Sequence, residues 1–103
     1  MAHKIRPLLQ HLKEMNLEIF PSEKECRAFI KGFLKNHGCT EPEMCIIFVI
    51  FYLNRCQVKP ITPQILSGHL SHVVSQLDHV LLRLERARHI HKDPITHHLT
   101  IID

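Results

Sequence analysis

From Cys45 to Leu53 nine consecutive residues are apolar, and polar signals stand at both ends of the run. Before it, Thr40-Glu-Pro-Glu43 has the form of a capping box, in which a hydroxyl and a carboxylate satisfy amides left open at a helix start. After it come Asn54 and Arg55. A membrane span takes about 20 apolar residues, so this run is not one. It predicts a helix through residues 45–55 that is apolar on nearly every side, and such a helix belongs at the centre of a core. The rest of the chain has to supply its cover.

The remaining segments have the periodicity for that task. Ile5, Leu8, Leu9 and Leu12 share one face of a first helix, residues 4–15. Pro21 precedes a second capping box, Ser22-Glu-Lys-Glu25, and the helix it opens places Cys26, Phe29, Ile30, Phe33 and Leu34 on its inner face. That helix stops at Asn36-His-Gly38, where glycine accepts a left-handed backbone. Thr62 before Pro63 marks the start of a short fourth helix, residues 63–70. A fifth, residues 73–88, carries Val73, Leu77, Val80, Leu81 and Leu84 at core spacing. The end differs in kind: residues 88–92, the turn Asp93-Pro-Ile-Thr96 and residues 97–103 read as strand, turn, strand, with β-branched residues crowding the last segment. The expected fold class is mainly α with a small C-terminal β-hairpin. At 103 residues this is one domain.

Composition narrows the function classes. Thirteen Lys and Arg face ten Asp and Glu, a net charge of +3 that permits nucleic-acid binding without demanding it. Between Lys59 and Lys92 the balance is five basic to two acidic, and seven of the ten histidines lie between His69 and His98. The first residues lack a secretory apolar region, which points to an intracellular protein, cytoplasmic or nuclear. Cys26, Cys39, Cys45 and Cys56 have no Cys-x-x-Cys spacing and read as reduced thiols, with Cys45 in the core.

Helix, short helix, long helix and hairpin follow one another as in a winged helix-turn-helix. Leu66 and Leu70 sit at i and i+4 on the short helix; Leu81, Leu84 and Glu85 follow, and Ile90 enters the first wing strand. This pattern resembles the winged-helix regulators of the MarR and ArsR type, whose recognition helix ends in Leu-x-x-Leu-Glu followed by Gly-x-Ile or Gly-x-Val. His98-Leu99-Thr100 resembles the strand returning from the wing. The resemblance covers residues 40–103 and departs from the pattern at Arg88, which stands where the family usually has glycine. It implies a winged helix over residues 39–103, preceded by two extra helices in residues 1–38. It also implies a homodimer on double-stranded DNA, for which Leu9, Leu12, Phe29 and Phe33 offer a dimer surface, although packing within the chain is an equally good use for them.

Under this reading Ser71, His72, Ser75, Gln76 and His79 line the N-terminal half of the recognition helix. Gln76 is placed to reach adenine, and His72 or Ser75 a phosphate. Arg83 and Arg86 face the DNA backbone, and Arg88, His91, Lys92, His97 and His98 form a positive wing. Asp78, close to the reading face, opposes phosphate unless it pairs.

A second resemblance is shorter. Residues 22–66, with Cys39-Thr40 and Tyr52-Leu-Asn-Arg55, look like the first helices of a cyclin box, which implies a kinase or other protein partner. The segment Ser67-Gly-His-Leu-Ser-His-Val-Val then stands where a cyclin carries its kinase-binding lysine, and the terminal hairpin has no place in that fold. A protein-interaction module, either a winged helix that binds another protein or a cyclin-like kinase partner, predicts an exposed apolar patch around Phe51, Tyr52 and Ile95.

Metal binding would draw on His69 and His72 at i, i+3, or on His89, His91, His97 and His98 across the hairpin. Alternation along a strand sends neighbours to opposite faces, and no metal or other cofactor is assigned. No Gly-rich phosphate loop, Gly-x-Ser-x-Gly or His-Glu-x-x-His is present. The expectation is a DNA-binding regulator that performs no chemistry.

Overall fold

A computed structural model describes residues 5–15 and 20–102. Its helices are α1 (Ile5–Lys13), α2 (Glu23–His37), α3 (Glu41–Arg55), α4 (Pro63–Leu70) and α5 (Leu77–Arg86), followed by strands β1 (Ile90–Lys92) and β2 (Leu99–Ile101). The chain is therefore mainly helical with a small antiparallel hairpin. Lys4 and Asp103, the expected outer ends of the first helix and last strand, lie outside the described residues.

The centre is α3. Every residue from Met44 to Ile50 is buried, as are Tyr52 and Leu53, and α1, α2, α4, α5 and β2 all pack against this helix. The surrounding helices each contribute one stripe: Ile5, Leu8 and Leu12 from α1; Cys26, Ile30 and Phe33 from α2; Leu66 and Leu70 from α4; Val80, Leu81 and Leu84 from α5. Leu12 and Phe33, expected at a dimer surface, are thus spent inside the chain. Leu9 and Phe29 pack against the same core, where the Phe29 ring stacks on Phe51 at 4.0 Å.

Caps fix where the helices begin. Ser22 Oγ accepts the Glu25 N–H at 3.1 Å and Thr62 Oγ1 accepts the Ile65 N–H at 3.3 Å. Glu43 Oε1 accepts from both the backbone N–H and the hydroxyl of Thr40, at 2.9 and 2.8 Å. The first box is only half closed, because the Glu25 carboxylate pairs with Arg55 and so ties the end of α3 to α2. Gly38, at φ 59°, ends α2 in the left-handed conformation that glycine adopts without a Cβ clash.

The patch proposed around Phe51, Tyr52 and Ile95 does not form. Tyr52 is fully buried, Phe51 is covered by Phe29, and Ile95 alone is exposed. The Tyr52 hydroxyl has no hydrogen-bond partner among the described residues, and burial pushes its pKa up to about 12. An unsatisfied buried hydroxyl costs free energy that a phenyl ring of the same shape does not. Tyr52→Phe should therefore raise stability by about 1 kcal/mol in urea unfolding.

His11 of α1 and His69 of α4 are hydrogen-bonded ring to ring at 3.2 Å. Burial, and then the charge of His11, hold the His69 pKa below its ordinary 6.5. The folded state thus binds fewer protons than the unfolded one in this range, and this contribution is full above pH 6.5 and lost as pH falls below it. Unfolding measured at pH 7.5 and 5.5 should show a smaller acid loss for His69→Gln than for the unaltered chain.

Candidate nucleic-acid interface

α4 and α5 are joined by residues 71–76, and α5 starts at Leu77, four residues later than its periodicity indicates. Val73 and Val74 donate to the Leu70 carbonyl, which winds the chain on for one turn. Gln76 then adopts φ 54°, ψ 50°, a left-handed backbone that no α-helix continues through. Ser71, His72 and Ser75 accordingly lie in the connecting turn and Gln76 at its end, not on the first half of the helix. All four are exposed, while Val74 anchors the turn in the core.

With Val80, Leu81 and Leu84 inward, the outer face of α5 presents His79, Leu82, Arg83 and Arg86. Leu82 was not a candidate by sequence, where it is hidden in the pair Leu81-Leu82; only one of two adjacent leucines faces the core, and Leu82 remains 43% exposed. Asp78 is exposed in the first turn of α5, where a carboxylate complements the positive end of the helix dipole.

The chain leaves α5 through Ala87 and reverses at Arg88, whose φ is 61°. The backbone conformation that glycine would supply is present, carried by arginine. In the hairpin Ile90 pairs with Ile101, His91 with Thr100 and Lys92 with Leu99. Ile90 and Leu99 are buried and His91 is exposed. Asp93 shapes the tip: its Oδ1 accepts the N–H groups of Ile95 and Thr96 at 2.8 and 2.9 Å. The hydrogen bonds from Thr96 and then Ile95 hold its carboxyl below the usual range.

The hairpin is fastened to the loop before α4. Leu99 N–H donates to the Ile61 carbonyl at 2.8 Å, and His98 Nδ1 accepts the Ile61 N–H at 2.9 Å. The His98 ring is thus engaged with the backbone of this loop. His97 is exposed at φ 62°. Ile61 lies 37 residues before His98, which is why sequence spacing gave no hint of this tie.

Exposed basic side chains stand on both halves of the chain, and Arg6, Lys24, Lys31 and Lys35 of α1 and α2 form no salt bridge among the described residues. Lys13 and Arg27 pair with Glu23, and Arg55 with Glu25. Among the described residues no carboxylate stands within ion-pair distance of Arg83, Arg86, Arg88 or Lys92. Arg83 lies near the start of α3 beside Glu43. Burial pushes that carboxyl up, but the Thr40 N–H and hydroxyl, helped by the charges of Arg83 and His89, bring it below its ordinary value. His89 itself packs edge-on against His37, whose ring lies tilted against Phe33.

Burial pushes the Cys26 and Cys39 thiols up to about 11, so both stay protonated at pH 7 and are poor nucleophiles. No cluster of three or more His, Cys, Asp or Glu among the described residues is arranged to hold a metal ion, and no helix there is long and apolar enough to cross a membrane. No protein-family model, curated protein or solved structure matches this chain.

A left-handed arginine costs about 1–2 kcal/mol, and glycine returns part of that through its freer unfolded state. Arg88→Gly should therefore raise stability by roughly 0.5–1 kcal/mol in urea unfolding, whereas Arg88→Val, β-branched at positive φ, should lower it.

Proposed function

We propose that this chain binds double-stranded DNA through the outer face of α5 and the hairpin, acting by occupancy without chemistry. The observation that carries the reading is a set of cations on Arg83, Arg86, Arg88 and Lys92, none in a salt bridge among the described residues although the Arg83 charge acts on Glu43, along one helix and the hairpin that follows it. The order α3, α4, turn, α5, hairpin, with Ile61 hydrogen-bonded to the returning strand, supports a winged-helix arrangement in which α5 is the recognition helix. Ten residues at 1.5 Å each make α5 about 15 Å long, enough to lie along a major groove.

Within this reading Arg83, Arg86, Arg88 and Lys92 meet phosphates, His79 and Leu82 face base edges, and Gln76 approaches from the turn before the helix. An apolar side chain such as Leu82 suits the thymine methyl group. The packing of Leu12 and Phe33 inside the core leaves the proposal independent of a dimer.

One observation favours a second reading, a module that binds another protein. Ile95 is 86% exposed at the hairpin tip, held there by the Asp93 turn. A side chain of that kind suits an apolar pocket on a partner.

Fluorescence anisotropy with mixed-sequence duplex across a salt series tests the DNA reading. Four phosphate contacts predict a slope of log K against log salt of about −3.6, and Lys92→Ala should reduce its magnitude by about 1 on every duplex alike. Leu82→Ala or Gln76→Ala should change the preference among duplexes and leave the slope intact. Absence of binding at low salt contradicts the reading and turns the search to proteins.

A further inference from the structure

His11 and His69 stand 58 residues apart in the sequence, yet the fold brings His11 Nε2 to within 3.2 Å of His69 Nδ1. The ring centroids are 5.4 Å apart and the planes cross at 66°. Both residues sit in the last turn of a helix, α1 and α4 respectively. Two neutral imidazoles at this spacing share one hydrogen, one nitrogen donating and the other offering its lone pair.

The same spacing suits two ligands of one metal ion. Two nitrogens bound tetrahedrally at about 2.0–2.1 Å stand about 3.4 Å apart, within a few tenths of an ångström of the separation found here. His69 is half-buried and held by its helix, whereas His11 is exposed and its ring has room to turn until both lone pairs meet at one point. Burial, and then the repulsion a second charge on His11 would bring, favour the neutral, ligating form of His69. Sequence spacing pairs His69 with His72; the fold pairs it with His11 instead, and His72 lies exposed in the turn beyond α4.

We propose that His11 and His69 form a two-imidazole site for a divalent transition metal of the zinc class, water completing the coordination sphere. When the metal binds, the hydrogen now shared moves to the other nitrogen of its own ring. The neutral pair thus gives two lone pairs with no net loss of a proton. Protons compete with the metal for the imidazole lone pairs, so affinity falls at acid pH. The bound ion cross-links α1 to α4 and stabilises the folded chain by mass action, because the unfolded chain does not hold the two rings together.

The test is calorimetric titration of the full chain with zinc chloride, paired with thermal unfolding in zinc and in EDTA. The unaltered chain should bind one equivalent that raises its unfolding temperature. His11→Gln and His69→Gln should each weaken that equivalent tenfold or more and abolish the thermal shift, while a His91→Gln, His97→Gln double variant should keep both. His11 is exposed, so His11→Gln leaves the core intact even if His69→Gln disturbs packing. Absence of binding and of any thermal shift in excess zinc overturns the proposal. Equal binding by His11→Gln and the unaltered chain does so as well, by moving the metal to other histidines.

Discussion

The structure depends on one helix that has no wet face. Burial of every position from Met44 to Ile50, and of Tyr52 and Leu53, leaves α3 able to exist in water only when it is wrapped. Four helices and a strand do the wrapping, and each needs only a single apolar stripe to do so. That division of labour frees the outer faces of α1, α2, α4 and α5 for polar and charged side chains. Lys13, Arg27 and Arg55 find partners in Glu23 and Glu25, whereas Arg83, Arg86, Arg88 and Lys92 form no salt bridge among the described residues.

The hairpin shows how strongly the periphery leans on this centre. Two strands of three residues are too short to stand alone in water. Ile90 and Leu99 enter the common core, and Leu99 and His98 are both hydrogen-bonded to Ile61, so the hairpin is held at its base by packing and by the loop before α4. Its tip is shaped by Asp93 and by Thr96, whose hydroxyl accepts the His98 N–H. The exposed residues in between, His91 and His97 among them, owe their placement to contacts that are neither charged nor exposed.

Much of this was legible in the sequence, and the reasons are local. Ser22, Thr40 and Thr62 announce helix starts through their own side chains, Gly38 announces a stop, and α4 falls on the residues that Thr62 and Pro63 indicate. The start of α5 was misread because Val73 and Leu77 keep helical spacing across a break that neither glycine nor proline marks; Gln76 supplies the left-handed backbone instead. That one residue moved Ser71, His72 and Ser75 off the candidate reading helix. Arg88 was the converse case: its departure from the glycine pattern drew attention, yet the backbone there is left-handed all the same. The His11–His69 and His98–Ile61 contacts join residues far apart in the chain, and no spacing rule reaches them. The homodimer and the DNA itself belong to expectation, since neither follows from packing within one chain.

The central claim is that the surface of α5 and the hairpin is the working face, and the most direct measurement is residue-by-residue. Titration of the nitrogen-15-labelled chain with a mixed-sequence duplex, followed by amide chemical shifts, reports which backbone positions feel the ligand. The account predicts shifts concentrated at residues 76–86 and 88–97, with the amides of α1 and the first half of α2 unmoved. Shifts confined to α1 and α2, or a spectrum unchanged by DNA at low salt, would contradict it.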